Sequence, residues 1–266
     1  MKKIGFIGAG NMGYPLLCGA MRLFGKDNIT FCCAHEEKNA ALKEELGVYP
    51  ATSLKELVRE SELIVLAVKP QFFDEILSEI KDELKGQKVL ISMAPGVTIG
   101  YLSSVIEQQV YVVRTMPNTP AMVGKGMTAI CFGEQEIPDA MKQDLIALFE
   151  AVGKVVLLPE HLMDASIVAS GSSPAFLFLF MEALADGAVK YGIPRNQAYE
   201  MVAQTMIGAG EMLLQTGEHP GKLKDNVCSP GGTTIAGVAA LEENGFRNAI
   251  LKACDACYEK AMQMKK

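Results

Sequence analysis

Two groups of residues in this sequence have types and spacings that could do chemistry, and glycines define the first group. Gly8, Gly10 and Gly13 follow a short apolar run with the spacing G-x-G-x-x-G, and a helical pattern begins directly after them. The first N–H groups of such a helix bind phosphate, because they are unpaired and lie at the positive end of the helix dipole. A strand before the motif and a helix after it are the context of a dinucleotide site. We therefore expect cofactor contacts from Ile7, Gly8, Ala9, Gly10, Asn11, Met12 and Gly13.

The three glycines have different expected roles. Gly8 makes the tight turn, Gly10 lets a pyrophosphate approach the backbone, and Gly13 lets the helix pack closely against the strand. A Cβ atom at Gly8 or Gly10 is expected to take up the space that the pyrophosphate needs. Neither of these two residues should therefore tolerate a larger side chain.

The second group lies at residues 225–234, immediately before another helical pattern. Its stretch Gly231-Gly232-Thr233-Thr234 offers unpaired backbone N–H groups at a helix start together with two hydroxyls, which suits a small carboxylate. An ordinary Ser/Thr N-cap is the alternative, and it would explain one hydroxyl but not the two glycines.

Strand-length apolar runs position the first group. They lie at residues 4–7, 29–33, 63–68, 88–92, 110–114, 127–131 and 154–158, with helical patterns between most of them. Strands that alternate with helices predict a doubly wound parallel sheet, here a Rossmann-like α/β domain. Loops at the carboxyl ends of such strands line the ligand crevice. The loops after the third, fourth and fifth strands therefore add candidate cofactor contacts, which are Ala67, Val68, Lys69, Pro70, Ala94 and Asn118.

Asn118 has a specific expected role. Pro117 and Pro120 stiffen its loop, and its side chain could bond the amide of a nicotinamide in the crevice. An Asx-Pro turn, in which the side chain only serves the loop, is the alternative.

The end of the second strand bears on the choice of cofactor. NAD-preferring sites place there an acidic residue that bonds the ribose 2′-OH, whereas this strand ends in Cys33-Ala34-His35. His35 and Lys38 could meet a 2′-phosphate, and a solvated helix start is the alternative interpretation of the same residues. We therefore favour NADPH as the cofactor, with NADH as the alternative.

Beyond Pro159 the pattern changes to helices alone. We therefore expect a dinucleotide-binding domain over residues 1–159 and an all-helical C-terminal domain over residues 160–266. The most apolar window, residues 176–181, lies between Pro174 and Glu182. Since a membrane span needs about 18 residues, we expect this window to be a buried helix. Helices with apolar residues on several faces need a partner surface, which predicts dimerisation through this domain.

Composition narrows the partners and the compartment. The 266 residues carry a formal net charge of −6 and no basic cluster, so nucleic acid is not an expected partner. Seven cysteines, an odd number, are scattered through a sequence without an export signal, which predicts reduced thiols and a cytoplasmic protein. Cys254 and Cys257 have C-x-x-C spacing but lack a second pair of ligands, so no metal is expected.

With these motifs the sequence resembles the pyrroline-5-carboxylate reductase family. The resemblance covers almost the whole chain, and its most specific part is the C-terminal pattern from Pro220 through Cys228-Ser229 and Gly231-Gly232 to Leu241-Glu242. The other matching segments, in family order, are GFIGAGNMG at the N-terminus, Ala67-Val68-Lys69-Pro70, Arg114-Thr115-Met116-Pro117-Asn118 and Ser170-Gly171-Ser172-Ser173-Pro174-Ala175. Two places depart from the family pattern. Ser173 stands where the family usually has glycine before the proline, and the end of the second strand lacks the Asn-Arg type of sequence seen in many members, which leaves the choice of cofactor open.

The resemblance implies hydride transfer from NAD(P)H to the C=N carbon of 1-pyrroline-5-carboxylate, giving L-proline. It implies that backbone N–H groups around Gly232 and Thr233, with help from Ser229, hold the substrate carboxylate. It also implies that the Thr234 hydroxyl bonds the ring nitrogen and relays its proton. The expected substrate contacts are Asn226, Ser229, Gly231, Gly232, Thr233 and Thr234. A homodimer is implied as well, and it could be the base of a larger ring such as a pentamer of dimers.

Two other classes of protein compete with this interpretation. The β-hydroxyacid dehydrogenases begin with a similar GFIGxGxMGxP stretch, but they carry a lysine soon after a glycine-rich turn on the interdomain helix. Here the corresponding turn at Gly171 is followed by no lysine until Lys190. A cofactor-binding regulatory protein without activity is the second alternative, and the intact loop at residues 229–234 argues against it.

Overall fold

A computed structural model describes residues 2–106 and 110–266 of the chain. The chain divides into two compact units. The first unit runs to Pro174 and also takes in Cys257–Lys266, and the second unit is Ala175–Ala256.

The described part of the first unit is built on a seven-stranded sheet in the order β2-β1-β3-β4-β5-β6-β7. All pairings from β2 through β5 are parallel. β4 is buried at every residue, as expected for a strand covered by helices on both faces. The predicted Rossmann-like α/β architecture is therefore confirmed. The strands are β1 Lys2–Ile7, β2 Ile29–Cys32, β3 Ser61–Leu66, β4 Val89–Ser92, β5 Tyr111–Met116, β6 Gly126–Cys131 and β7 Gly153–Leu157.

The sheet differs from the prediction in the direction of its last two strands. β6 pairs antiparallel with β5, and β7 is parallel to β6. The connection between β5 and β6 contains a short 3₁₀ turn, Thr119–Val123. Because a parallel crossover needs a dozen or more residues, so short a connection returns the chain in the opposite direction.

Helices cover both faces of the sheet and form two separate apolar cores. On one face, Leu17 of α1 and Leu148 of α6 pack in the core that contains Phe6. On the other face, Leu77 of α4 and Leu102 of α5 pack in the second core. The helices of this unit are α1 Gly13–Phe24, α2 Glu36–Leu46, α3 Leu54–Glu60, α4 Phe73–Ile80, α5 Ile99–Ile106, α6 Asp139–Glu150 and α7 Glu160–Ser166.

The second unit has very little core of its own. Its described core consists of Ala185, Ala198 and Val202, while Phe178 and Leu179 are 65% and 67% exposed. A helical unit of this size that exposes large apolar side chains requires a further surface to cover them. The helices are α8 Ser173–Lys190, α9 Arg195–Thr216, α10 Pro220–Val227, α11 Thr233–Glu243 and α12 Phe246–Gln263, of which α8 and α12 extend into the first unit at one end.

The helix predicted around residues 176–181 is present, but the prediction that it is buried is wrong for the chain by itself. The helical run Glu160–Lys190 is long and apolar enough to cross a membrane by length and composition alone, and only 6% of its most apolar window is buried within the chain. Pro174 does not interrupt it, because this proline is the second residue of α8. The N–H that proline lacks is unpaired at that position of any helix.

The pairing of β6 with β7 provides a test of the sheet topology. Gly153 pairs with Gly126, and a Cβ atom at Gly153 would overlap the Gly126 backbone. Gly153→Ala should therefore lower the free energy of unfolding by roughly 3 kcal/mol or more, near the upper end for single substitutions. Gly100→Ala is the matched control, because a Cβ atom at Gly100 in α5 has no neighbour within 4 Å. It should change stability by no more than about 1 kcal/mol. Equal urea midpoints for the two variants would contradict the described pairing.

Candidate active site

The order of the central strands brings the loops after β1, β2 and β3 together. β1 lies between β2 and β3, so β2 follows on one side of it and β3 on the other. Open α/β sheets bind ligands at such a topological switch point, where the strand order reverses. The Gly8 N–H donates to the Cys32 carbonyl at 2.8 Å, and the Ala67 N–H donates to the Ile7 carbonyl at 2.9 Å. The structure thus joins the predicted glycine motif to the predicted Ala67–Pro70 segment.

Gly8 and Gly13 are required by the packing of the protein itself. Gly8 has φ +88°, and a Cβ atom there would lie 2.8 Å from the Ala67 carbonyl oxygen. The expectation that this Cβ would compete with a pyrophosphate is therefore wrong, because the protein backbone already fills the space. A Cβ atom at Gly13 would lie 2.7 Å from the Gly8 carbonyl oxygen. This confirms that Gly13 allows close packing of helix and strand.

Unlike Gly8 and Gly13, Gly10 is not constrained by neighbouring protein atoms, and its surroundings show whether a dinucleotide would fit. A Cβ atom at Gly10 would have no neighbour within 4 Å, so the space beside its backbone is open. α1 begins at Gly13 with Met12 at its N-cap, without a side-chain cap and without an acidic residue in its first turn. Open space next to uncapped N–H groups is what a pyrophosphate needs, because the helix dipole attracts an anion there. Of the other predicted contacts, Ile7 and Ala9 are buried, while Asn11 is exposed.

The loop after β2 is fixed by a residue that the sequence analysis did not single out. Asn39 of α2 is buried, and its side chain bonds both backbone groups of Cys33, accepting from N–H at 2.9 Å and donating to C=O at 3.2 Å. His35 occupies the N-cap of α2 without a side-chain cap bond and is exposed. The structure therefore leaves the His35 imidazole accessible on a loop held by Asn39. The signal in the sequence was an uncharged polar residue on the buried side of a strongly charged helix.

The loops after β3, β4 and β5 lie along the same edge of the sheet, because these strands pair in parallel. Lys69 is exposed, and Pro70 begins a 3₁₀ turn that leads into α4. Ala94 is buried and its N–H donates to Ser92 Oγ at 3.3 Å. Val68 is partly buried against the second core. The predicted cofactor residues of these three loops are thus brought to one edge.

Asn118 serves the fold more directly than expected. Its Oδ1 accepts from the Met127 N–H at 2.8 Å, and its Nδ2 donates to the Ser170 carbonyl at 3.0 Å. Both ends of the amide therefore hold the loop after β5 in place. A contact between Asn118 and a nicotinamide stays a prediction, and the first role of this side chain is structural.

The second predicted group forms a tight turn followed by a helix. The Gly232 N–H donates to the Ser229 carbonyl at 3.0 Å, and Gly231 at the third position of the turn has φ +69°. Proline at the second position and a left-handed glycine at the third define a type II turn. A Cβ atom at Gly232 would collide with Ser229 Oγ, so the two glycines let the Ser229 hydroxyl lie against the backbone at the helix start.

Thr233 and Thr234 are the first two residues of α11, and Gly232 is its N-cap. The alternative in which a threonine caps the helix is therefore wrong. Both threonines are exposed, and within the described residues neither hydroxyl makes a hydrogen bond. Asn226 lies in the last turn of α10 and is also exposed. The loop offers an anion free N–H groups, and it offers a small ligand three accessible hydroxyls.

Comparison with known protein families gives one match in the N-terminal part of the chain and another in the C-terminal part. Residues 160–264 match the family described as pyrroline-5-carboxylate reductase dimerisation. Residues 3–96 match the family described as NADP oxidoreductase, coenzyme F420-dependent. The second match covers the glycine motif and the loops after β2, β3 and β4.

Full-length relatives and solved structures agree with these matches. The pyrroline-5-carboxylate reductase of Escherichia coli is 41% identical over 268 aligned residues, which cover 100% of this chain and 99% of that one. The enzyme of that name from Methanosarcina acetivorans is 42% identical and is covered to 98%. The crystal structure of Plasmodium falciparum pyrroline carboxylate reductase with NADP bound superposes with a TM-score of 0.89 at 33% identity, covering 100% of this chain and 98% of that chain.

The fold and these similarities first define a class, an NAD(P)H-dependent oxidoreductase that acts on a C=N bond. More specifically, the chain belongs to the pyrroline-5-carboxylate reductase family, the enzymes that complete proline biosynthesis. The match to the dimerisation family also makes it a homo-oligomer with a small-molecule substrate.

The contrast between two glycines gives a test of the dinucleotide site. Gly10→Val should fold normally but lose NADPH binding, because the new side chain enters open space beside the helix N-terminus. Gly8→Val should fail in both respects, since its φ of +88° and the nearby Ala67 carbonyl exclude a side chain. NADPH fluorescence titration and thermal melting separate the two outcomes. Normal NADPH titration by Gly10→Val would refute the site.

Proposed function

We propose that the two predicted groups divide the reaction between them. The loops at the switch point of the sheet hold NADPH, and the loop at residues 229–234 holds 1-pyrroline-5-carboxylate. The observation that carries this proposal is the pair of uncapped helix starts, α1 after Gly10 and α11 after Gly232, each without an acidic residue in its first turn. When bound, NADPH supplies the hydride for the C=N carbon.

The substrate carboxylate is held by the start of α11. The Thr233 N–H and the Ser229 hydroxyl bind it, and Asn226 contributes from α10. Gly231 and Gly232 set the turn, in which the Gly232 N–H already donates to the Ser229 carbonyl. The positive end of the helix dipole favours a carboxylate over a neutral group. This proposal is supported by the position of Ser229 Oγ, which lies against the Cα atom of Gly232.

The Thr234 hydroxyl bonds the ring nitrogen and relays a proton from solvent water to it as the imine becomes an amine, so the hydroxyl itself is left unchanged. Its support is a hydroxyl that is exposed and makes no hydrogen bond within the described chain. The reaction needs no protein nucleophile. Orientation of two bound reactants, which is worth about 7–11 kcal/mol in favourable cases, therefore supplies most of the rate enhancement.

NADPH is preferred over NADH. The end of β2 itself carries no carboxylate to repel a 2′-phosphate, and the exposed His35 and Lys38 side chains follow it. Glu36 and Glu37, in the first turn of α2, lie close by and oppose this preference. Contacts from Ala67, Val68, Lys69, Pro70, Ala94 and Asn118 complete the cofactor site.

The functional division of the chain falls at Pro159, giving a dinucleotide-binding domain over residues 1–159 and a dimerisation and substrate domain over residues 160–266. The match of the dimerisation family from residue 160 supports this division. A second copy of the chain, and not lipid, covers the apolar faces of the run Glu160–Lys190. The enzyme is a cytoplasmic homodimer, which can assemble further into a pentamer of dimers.

The apolar surface of the second unit tests the homodimer. At micromolar concentration and without detergent, light scattering should give a dimer or a multiple of it. Phe178→Asp with Leu179→Asp should shift the protein to monomer, because each introduces a charge on an exposed apolar surface that a partner must bury. Glu218→Ala, an exposed position at the end of α9, is the control. A monomeric parent protein, or one that partitions into lipid vesicles, would contradict the proposal.

The two threonines of α11 test the catalytic assignment. Thr234→Ala should lower kcat by roughly ten- to a thousandfold, because a bond that strengthens as the imine becomes an amine belongs to the transition state. NADPH affinity should stay unchanged. Thr233→Ala is the matched control and should cost less, since the backbone N–H that we assign to the carboxylate survives the substitution. Initial rates with 1-pyrroline-5-carboxylate and each nicotinamide cofactor measure both effects.

Three results would contradict parts of this proposal. A larger kcat loss in Thr233→Ala than in Thr234→Ala would show that the proton donor is misassigned. A higher kcat/KM with NADH would overturn the cofactor preference. Absence of turnover in the parent protein would favour the cofactor-binding regulatory alternative.

A further inference from the structure

Residues 264–266 lie against the loop that follows β4, and both belong to the first unit. The Lys266 N–H donates to the Gly96 carbonyl at 2.7 Å, and the Thr98 hydroxyl donates to the Lys266 carbonyl at 2.9 Å. These two bonds use the backbone of Lys266, so they fix the path of the chain and do not depend on its side chain. The loop they hold, residues 94–98, begins with the predicted cofactor contact Ala94.

Gly96 is shaped for this contact. Its φ is +74°, and a Cβ atom there would lie 2.6 Å from the Met264 carbonyl oxygen. The backbone of residues 264–266 thus passes so close to Gly96 that only glycine, which has no Cβ atom, fits there. Residues 94–98 and 264–266 are therefore in direct backbone-to-backbone contact at Gly96.

The Lys266 side chain adds contacts on the outer side. Its Nζ lies 2.9 Å from Asp74 Oδ2 and 5.5 Å from the ring centroid of Tyr101. The Tyr101 hydroxyl donates to Asp74 Oδ1, and this bond, followed by the bond from Lys266, lowers the pKa of the Asp74 carboxyl. Asp74 and Tyr101 belong to α4 and α5, so one lysine connects two helices, of which α5 follows the loop directly. Exposed ion pairs of this kind stabilise only modestly, and the backbone bonds provide the main attachment.

The Lys265 side chain reaches inward. Its Nζ lies 3.6 Å from Oδ2 of Asp164, a buried carboxylate that also accepts from Nη2 of the fully buried Arg114. Arg114 Nε and Nη1 have no hydrogen-bond partner among the described residues. Arg114 lies in β5, which leads directly to the Asn118 loop. Lys265 therefore supports the ion pair next to the loop after β5, which carries Asn118.

We propose that residues 264–266 are a positioning segment for the cofactor, and this rests on the cofactor site described under the proposed function. Lys266 holds the loop after β4, and Lys265 supports the Arg114–Asp164 pair beside the loop after β5. Loss of the segment leaves both loops free to move, so that binding NADPH then has to order them. The segment itself touches neither cofactor nor substrate in this scheme.

Deletion of residues 264–266 tests the proposal. We expect the Kd for NADPH to rise by roughly tenfold, equivalent to about 1.4 kcal/mol, while kcat at saturating NADPH and the KM for 1-pyrroline-5-carboxylate change less than threefold. If the deletion prevents folding, Lys265→Met combined with Lys266→Ala keeps the backbone bonds and should raise the Kd by a smaller factor. Lys266→Arg should retain NADPH affinity. Lys260→Ala, an exposed lysine of α12, is the control and should behave as the parent.

Gly96→Ala tests the proposal independently, because it changes the loop side of the contact between Gly96 and residues 264–266. In the complete chain it should weaken NADPH binding, and in the deletion variant it should cost less, since the Met264 carbonyl is gone. Equal costs in both backgrounds would overturn the proposal. A lowered melting temperature with an unchanged Kd for NADPH would also overturn it.

The Gly10→Val variant separates this proposal from the one on which it rests. If Gly10→Val loses NADPH but the deletion binds it normally, the positioning role is wrong and the cofactor site stands. If Gly10→Val binds NADPH normally, the cofactor site is wrong and the positioning role falls with it.

Discussion

The close approach of Gly8 to the end of β3 is the constraint on which the cofactor side of this protein depends. Gly8 has φ +88° and no Cβ to meet the Ala67 carbonyl, so the end of β1 can bond to the ends of both β2 and β3. The chain then turns away so that Gly10 has no protein neighbour where a side chain would stand. Tight packing at one glycine thus creates open space at the next, beside an uncapped helix start. The proposed cofactor site is thus a place that the backbone of the chain leaves open.

Local patterns predicted most of this architecture, because apolar runs and glycine spacing are local properties. The direction of β6 escaped prediction, since an apolar run has the same composition whichever way it pairs. Only the shortness of the connection after β5 carried that information. The exposure of α8 escaped for a different reason. A helix that a partner covers has the same apolar sequence as a helix buried in its own chain, so hydrophobicity cannot tell which surface covers it.

In the candidate site, too, local sequence predicted some features, whereas features that depend on residues distant in sequence escaped prediction. The positions of Asn118 and of the 229–234 loop could be predicted, since prolines and glycines determine such turns locally. The partners of Asn118, which are Met127 and Ser170, depend on how the strands and helices assemble. The sequence analysis missed the roles of Asn39 and of the Arg114–Asp164 pair for the same reason. Those roles come from burial and from contacts that form only in the folded chain. Propensity identifies the elements of the site, and tertiary packing decides which side chains remain free for a ligand.

The division of core between the two units bears on the proposed substrate site. The first unit has two apolar cores of its own, whereas α11, which carries Thr233 and Thr234, buries none of its residues within the described chain. Helices gain most of their stability in proteins from packing of an apolar face. The loop that we propose binds the substrate is therefore attached to a helix that its own chain stabilises very little. If a second copy covers α11, as proposed, the free energy of assembly also helps to order the proposed proton donor and carboxylate site.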